Sequence, residues 1–232
     1  MVKTSSYLVR HGKTMFNTIG RAQGWSDTPL TEEGKKGVQE LAIGLHQSSL
    51  DFKKAFSSDS GRTIQTTNII LEELQLFGKI PYRTDENIRE WCFGSFDGAY
   101  DGELFMGVLP RVFHVDHVHQ LSYAELAEGL VEVDTAGWAE NWEKLRDRIW
   151  KGFTDIAKDV EASGGGNALV VSHGMTIGTF IYLINQSRTH GLENGSVTII
   201  DYENGSFTVK DVGDLSYRHL GKEKMEEYSE TR

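Results

Sequence analysis

Two short apolar runs that each end in His-Gly constrain this chain more than any other feature. Tyr7-Leu8-Val9 leads into Arg10-His11-Gly12, and Ala168-Leu169-Val170-Val171 leads through Ser172 into His173-Gly174. A continuous β-prone run has no polar face, so it is expected to be a strand buried on both sides, as in a parallel sheet covered by helices. Parallel strands finish on one edge of their sheet, and ligands of such sheets bind outside that edge. If the two runs are neighbours, His11 and His173 face one pocket although they stand far apart in sequence. A third run, Ala55-Phe56-Ser57, is followed by Ser58-Asp59-Ser60-Gly61-Arg62-Thr63, which puts Arg62 at the start of a helical pattern. Guanidinium groups present planar forks of donors suited to phosphate oxygens, and an imidazole can act as nucleophile or base near neutral pH. Arg10, His11, Arg62 and His173 together read as a cage for a dianion, with Gly12 letting the backbone approach a ligand.

The rest of the pattern supplies helices to cover the sheet. Thr31 is placed to cap a helix whose first turn carries Glu32 and Glu33, and Val38, Leu41, Ala42 and Leu45 give it one apolar face. A second helix is expected from Arg62 through Ile64, Thr67, Leu71 and Leu74, then a short strand over Pro81-Tyr82-Arg83-Thr84. The longest helix should carry Trp138, Trp142, Leu145, Ile149, Phe153, Ile156 and Val160, a stripe read as core, and Gly164-Gly165-Gly166 ends it. That glycine run lacks a following Lys-Ser/Thr and reads as a flexible connection rather than a phosphate loop. A strand over Asn167 to Ser172 and a helix over Met175 to Asn185 follow. A hairpin pairs Ser196 to Tyr202 with Ser206 to Val212 across Asn204-Gly205. Residues 97–137 are less regular and read as an inserted flap with short helices near Glu103 to Val108 and Tyr123 to Val131. Residues 214–232 read as a polar tail that frays.

Length and charge set bounds. At 232 residues the chain can bury a sizeable core as a single domain, residues 1–232. The net charge of −10 argues against nucleic acid or an anionic membrane as a general partner, so an anionic ligand must be held by a local positive site. One cysteine, Cys92, excludes an intrachain disulfide and agrees with a reducing, cytoplasmic compartment; flanked by Trp91 and Phe93, it reads as a buried apolar residue. No secretory h-region and no run of about 18 apolar residues is present. Oligomeric state is not legible.

The chain resembles the histidine phosphatase superfamily, also called phosphoglycerate-mutase-like. The match runs from Arg10-His11-Gly12-Lys13-Thr14-Met15-Phe16-Asn17 through Gly20-Arg21-Ala22-Gln23-Gly24-Trp25-Ser26-Asp27-Thr28-Pro29-Leu30-Thr31-Glu32-Glu33-Gly34. It continues with Ser58-Asp59-Ser60-Gly61-Arg62-Thr63, then Arg89-Glu90, and closes with Ser172-His173-Gly174. The resemblance implies an α/β three-layer sandwich, a mostly parallel sheet flanked by helices with a flap over the site. It also implies a role as catalytic acid for Glu90, and it places Asn17, Gln23 and Gly24 at positions that contact the phosphate or flank the pocket. It implies that no metal and no cofactor is needed.

Side-chain chemistry leads to the same assignment. Attack on a phosphate ester requires that its charged oxygens be neutralised, that a nucleophile be aligned opposite the leaving oxygen, and that this oxygen be protonated. Arg10, Arg62 and His173 suit the first task. Neutral His11 suits the second, forming a phosphohistidine that water then cleaves. Glu90 suits the third if burial raises its pKa. The expected activity is that of a histidine acid-phosphatase-type phosphatase, a phosphoric monoester hydrolase acting on a small phosphorylated metabolite. A phosphoglycerate mutase is the alternative. Mutases of the family follow the glutamate with a Tyr-Gly-containing run and a downstream lysine, whereas here Glu90 leads into Trp91-Cys92-Phe93-Gly94-Ser95-Phe96-Asp97-Gly98, closer to the phosphatase branches. A non-catalytic binding module fits poorly with the intact set. His114, His117 and His119 have the residue types of a metal site, but a lid lining the pocket is the better reading of them. Asp97, Asp101 and Glu103 stand next in line as acids should Glu90 not serve.

Overall fold

The computed structural model describes residues 2–189 and 191–230. In chain order its elements are β1 (Thr4–Arg10), α1 (Met15–Ile19), α2 (Glu32–Gln47), β2 (Phe52–Ser57), α3 (Gly61–Glu73), β3 (Tyr82–Thr84), α4 (Leu109–Val112), α5 (Tyr123–Val133), α6 (Trp142–Ala162), β4 (Gly166–Ser172), α7 (Gly174–Asn185), β5 (Val197–Glu203), β6 (Ser206–Asp214) and α8 (Ser216–Glu230). The six strands form one sheet in the order β3-β2-β4-β1-β5-β6. The first four run parallel, and β5 and β6 are antiparallel. The sheet is therefore mixed, with its parallel half carrying the His-Gly turns.

The two apolar runs are neighbours in register. Leu8 lies opposite Val170, Val9 opposite Val171, and Arg10 opposite Ser172, so both His-Gly turns leave the same edge side by side. Period-two alternation divides the core. Tyr7, Val9, Leu169 and Val171 face a layer containing Val38, Leu41, Leu45 and Leu71 from α2 and α3. Leu8, Ala168 and Val170 face a layer containing Leu145, Ile149, Phe153, Ile177 and Phe180 from α6 and α7. Thr31 caps α2 as expected, its side chain accepting from the Gly34 N–H.

Three expectations change. The helical stripe begins at Trp142, and Trp138 lies outside α6 with 70% of its surface exposed; Asn141 caps the helix through the Lys144 N–H and sets that boundary. The segment Gly102–Val108 is a π-helix, a form that often appears at functional sites. The polar stretch after Asp214 is α8, packed along α2 up to Glu230; residues 231 and 232 of the expected tail lie outside the described ones. Composition misleads there because backbone, not apolar side chains, makes the contact. A Cβ on Gly44 would sit 1.7 Å from the Tyr217 carbonyl oxygen, and one on Gly221 would sit 1.6 Å from that of Glu40. Arg218 adds an ion pair to the buried Glu40 at 3.0 Å.

Candidate functional site

His11 closes β1 and is 3% exposed. Its Nδ1 lies 2.9 Å from the Gly12 carbonyl oxygen, which can only accept, so the proton sits on Nδ1 and the lone pair is on Nε2. The Arg62 Nε–H points at that nitrogen from 3.3 Å. Burial, then the charges of Arg62 and Arg10, hold the His11 pKa well below its ordinary value of 6.5, so the ring is neutral at pH 7. The main chain of this turn is clamped. Arg10 N–H donates to the Ser196 carbonyl and His11 N–H to the Ser172 carbonyl, both at 3.1 Å, while Gly12 N–H donates to Thr66 Oγ1 at 3.0 Å. Gly12 is required by packing, because a Cβ there would meet Val38 Cγ2 at 2.6 Å.

Arg62 opens α3 with no exposed surface, and its donors are shared out among six acceptors, His11 Nε2 and the Gln23 carbonyl among them. Nη1 donates to Ser26 O at 3.0 Å and Asp27 Oδ1 at 2.8 Å. Nη2 donates to Gly24 O at 2.8 Å and His173 Nδ1 at 2.9 Å. Because a guanidinium only donates, His173 carries its proton on Nε2, which donates to Ser58 Oγ at 2.7 Å. Both nitrogens of His173 are thus engaged within the protein. Its ring centroid lies 5.3 Å from that of His11, and it acts on the site through Arg62. Burial first, then Arg62 and His11, keep its pKa well below 6.5.

Arg10 differs from Arg62. Its Nη1 donates to the Leu192 carbonyl, but its buried Nε has no partner within the protein, and the side chain lines a cavity of about 420 Å³. A buried donor of a cationic group with no acceptor in the protein is costly, which suits this one to an anionic ligand in the cavity.

Glu90 lines the same cavity and is 7% exposed. Its Oε1 accepts from Trp91 N–H, Thr176 N–H and Thr176 Oγ1, each at 3.0 Å, and Oε2 accepts from Met175 N–H at 3.1 Å. Met175 and Thr176 lie in the first turn of α7, where a helix favours an anionic group. The carbonyls beside Glu90 are braced in turn: Arg148 on α6, paired with Glu140, donates to the carbonyls of Asn87, Arg89 and Glu90.

Asn17 and Gln23 lie on the cavity wall with His11. Gly24 stands behind it, giving its N–H to Asp97 and its carbonyl to Arg62. His117 and His119 line the cavity; His114 does not, and among the described residues no three His, Cys, Asp or Glu side chains cluster as a metal site would require. Asp101 is on the wall, where burial raises its pKa. Asp97 is not, because its carboxylate accepts from the N–H groups of Gly24, Trp25, Ser26 and Phe93 and from Ser26 Oγ. Glu103 lies off the wall. Cys92 is buried, 4% exposed.

Sequence reasoning missed two positioning residues. Asp97 ties the loop that grips Arg62 to the loop that carries Glu90. Asn194 donates through Nδ2 to the His11 carbonyl at 2.9 Å and to Asn17 Oδ1 at 3.3 Å. Asn194 precedes a glycine and reads in the sequence only as a turn, while Asp97, also before a glycine, reads as a reserve acid rather than as a tie between loops.

Fold and site define an α/β scaffold with a neutral buried histidine and two buried arginines at one edge of its sheet. The chain belongs to the histidine phosphatase superfamily (branch 1), whose family model matches residues 6–215. It is 30% identical over 233 aligned positions to a probable phosphoglycerate mutase GpmB of Salmonella choleraesuis strain SC-B67, covering 95% of this chain and 97% of that protein. A crystal structure of phosphoglycerate mutase from Bacillus anthracis strain Sterne superposes with a TM-score of 0.90 at 36% identity, over 95% of this chain and 97% of that one. Phosphoserine phosphatase from Entamoeba histolytica, solved with 3-phosphoglyceric acid, shares the fold with a TM-score of 0.67 at 20% identity, over 93% and 99% of the two chains. Proteins of this fold thus include both a phosphatase and a mutase. Among the described residues no helix is long and apolar enough to cross a membrane.

Proposed function

We propose that this chain is a metal-independent phosphomonoesterase that passes phosphate through a phosphohistidine at His11. The observation that carries the reading is the state of His11: neutral, with its Nδ1 proton pinned to a backbone carbonyl, its Nε2 lone pair facing the Arg62 Nε–H, and the charge of Arg10 nearby. Arg10 offers unmatched donors to the phosphoryl oxygens. When Nε2 bonds to phosphorus its lone pair is consumed, and the Arg62 Nε–H that pointed at it turns to a phosphoryl oxygen. Two guanidinium charges then offset the dianion, the task a metal ion performs in other phosphoryl-transfer sites. The phosphorus–oxygen ester bond breaks as the nitrogen–phosphorus bond forms, and the leaving oxygen takes a proton from Glu90. In the second step water gives a proton to Glu90, attacks phosphorus and releases phosphate from His11.

The names of the Salmonella and Bacillus relatives favour a second reading, a mutase, in which the same phosphohistidine returns its phosphoryl group to a bound sugar acid. One experiment tests the metal-independent site. Prolonged chelation should leave phosphate release unchanged, while vanadate should inhibit by resembling the five-coordinate transition state. Activity lost to chelation and restored only by a divalent ion would contradict the proposal.

A further inference from the structure

Away from its phosphate end, the cavity changes character. Its far wall is formed by Phe93, Phe105, Met106, Val118, Tyr123 and Leu126, five of them from the flap. Phe93 and Phe105 meet edge to face with centroids 5.7 Å apart, and Tyr123 packs against Trp91 at 5.8 Å, so this wall is a continuation of the core rather than a loose loop. Met106 stands on the π-helix at the cavity with 84% of its surface exposed. A large apolar side chain beside a wall of rings is an unfilled contact surface.

The charges on the same wall exclude one class of substrate. Arg188 is committed to the flap, donating to the carbonyls of Val118, His119 and Leu121 and lying over the Tyr123 ring at 5.2 Å. Arg21 donates to the Gly98 carbonyl and lies over the Tyr100 ring at 4.4 Å. Asp101 adds a carboxyl group. A carboxylate carried next to the transferred phosphate would meet Asp101 and Glu90, while Arg188 and Arg21 already give donors to backbone carbonyls and lie over aromatic rings.

We propose that the group esterified to the phosphate is apolar and of ring size, an aromatic or alicyclic body without a carboxylate, seated between Phe93, Phe105, Val118 and Leu126 and covering Met106. This rests on the phosphomonoesterase reading above. Ethyl phosphate and 2-phenylethyl phosphate test it, because they share a primary alkoxide leaving group and differ in the apolar body. kcat/KM for 2-phenylethyl phosphate should exceed that for ethyl phosphate by at least about tenfold, with 3-phosphoglycerate below both. Calorimetric binding of the matching phosphonates reads the same preference without turnover. Met106→Ser, at a position too exposed to affect folding, should cut the preference severalfold in both assays. A ratio near one in both, or 3-phosphoglycerate as the best substrate, overturns the proposal. A clear preference in binding with no phosphate released from either ester upholds the apolar wall and overturns the phosphomonoesterase reading instead.

Discussion

The phosphate end of the cavity and the flap that roofs it are built on opposite plans. Around His11 nearly every polar atom is answered from a different element: Arg62 from α3 is held by residues 24–27 and by His173 at the start of α7, and the turn that carries His11 is clamped by β4 and by the segment before β5. Such a network has one low-energy arrangement, and moving any member leaves a buried donor or acceptor unpaired. The flap makes its wall from apolar side chains, a π-helix and arginines spent on its own carbonyls. Apolar surfaces tolerate substitution so long as volume is kept. On the proposed function, chemistry is fixed by the rigid half, and the choice of leaving group by the adaptable half.

Breaking the rigid half should cost most. Arg62→Ala removes a donor to His11 and leaves Asp27 and His173 without their partner, so kcat/KM should fall by roughly 10³ or more for every phosphate ester alike. Steady-state kinetics on an aryl and an alkyl ester check this; a loss confined to one of them would mean that Arg62 reads the leaving group. Glu90→Gln should divide substrates instead. A nitrophenolate leaves without a proton, whereas an alkoxide does not. Rapid-quench measurements should find the first step with 4-nitrophenyl phosphate nearly unchanged, as a burst before slow turnover. With 2-phenylethyl phosphate it should be slower by about 10²-fold or more. Equal losses in both first steps would move the acid role to Asp101, the remaining carboxyl on the wall.

Two buried neutral histidines also set a pH dependence of stability. Their folded pKa values lie below 6.5, so in the window beneath 6.5 the unfolded chain binds protons that the folded chain does not, and stability falls as pH falls. Each histidine contributes a slope of at most about 1.4 kcal/mol per pH unit. Denaturant unfolding between pH 7 and 5 should therefore show a shallower decline for His11→Ala than for the unsubstituted protein; parallel curves would mean that His11 is charged when folded.

The same division explains what the sequence made legible. The strand-end turns could be read because a run such as Leu169-Val170-Val171 has only one use in an α/β sheet, and His-Gly after two such runs points at one edge. Arg62 could be read as the start of a helical pattern after a third such run, whereas Glu90 came with the family's motif. The partners of these groups did not. Asn194 and Asp97 act through backbone carbonyls and N–H groups, whose identity leaves no trace in residue type, and α8 docks on α2 through glycines at Gly44 and Gly221 that composition marks as helix-poor. The flap was legible only as irregular: that Arg188 is spent on carbonyls near Leu121, and Met106 left in water, depends on a π-turn that no periodicity announces. His173 lies beside His11, as two neighbouring His-Gly turns require, but which partner each ring nitrogen takes is a property of the assembled network.

The account stands most directly on His11 as the atom that carries phosphate. Protein quenched in alkali during turnover of a ³²P-labelled ester should retain label that is stable in base and lost in acid, the behaviour of a phosphoramidate, and His11→Ala should retain none while remaining folded by circular dichroism. Label that survives acid, or label and turnover that persist in His11→Ala, would contradict it.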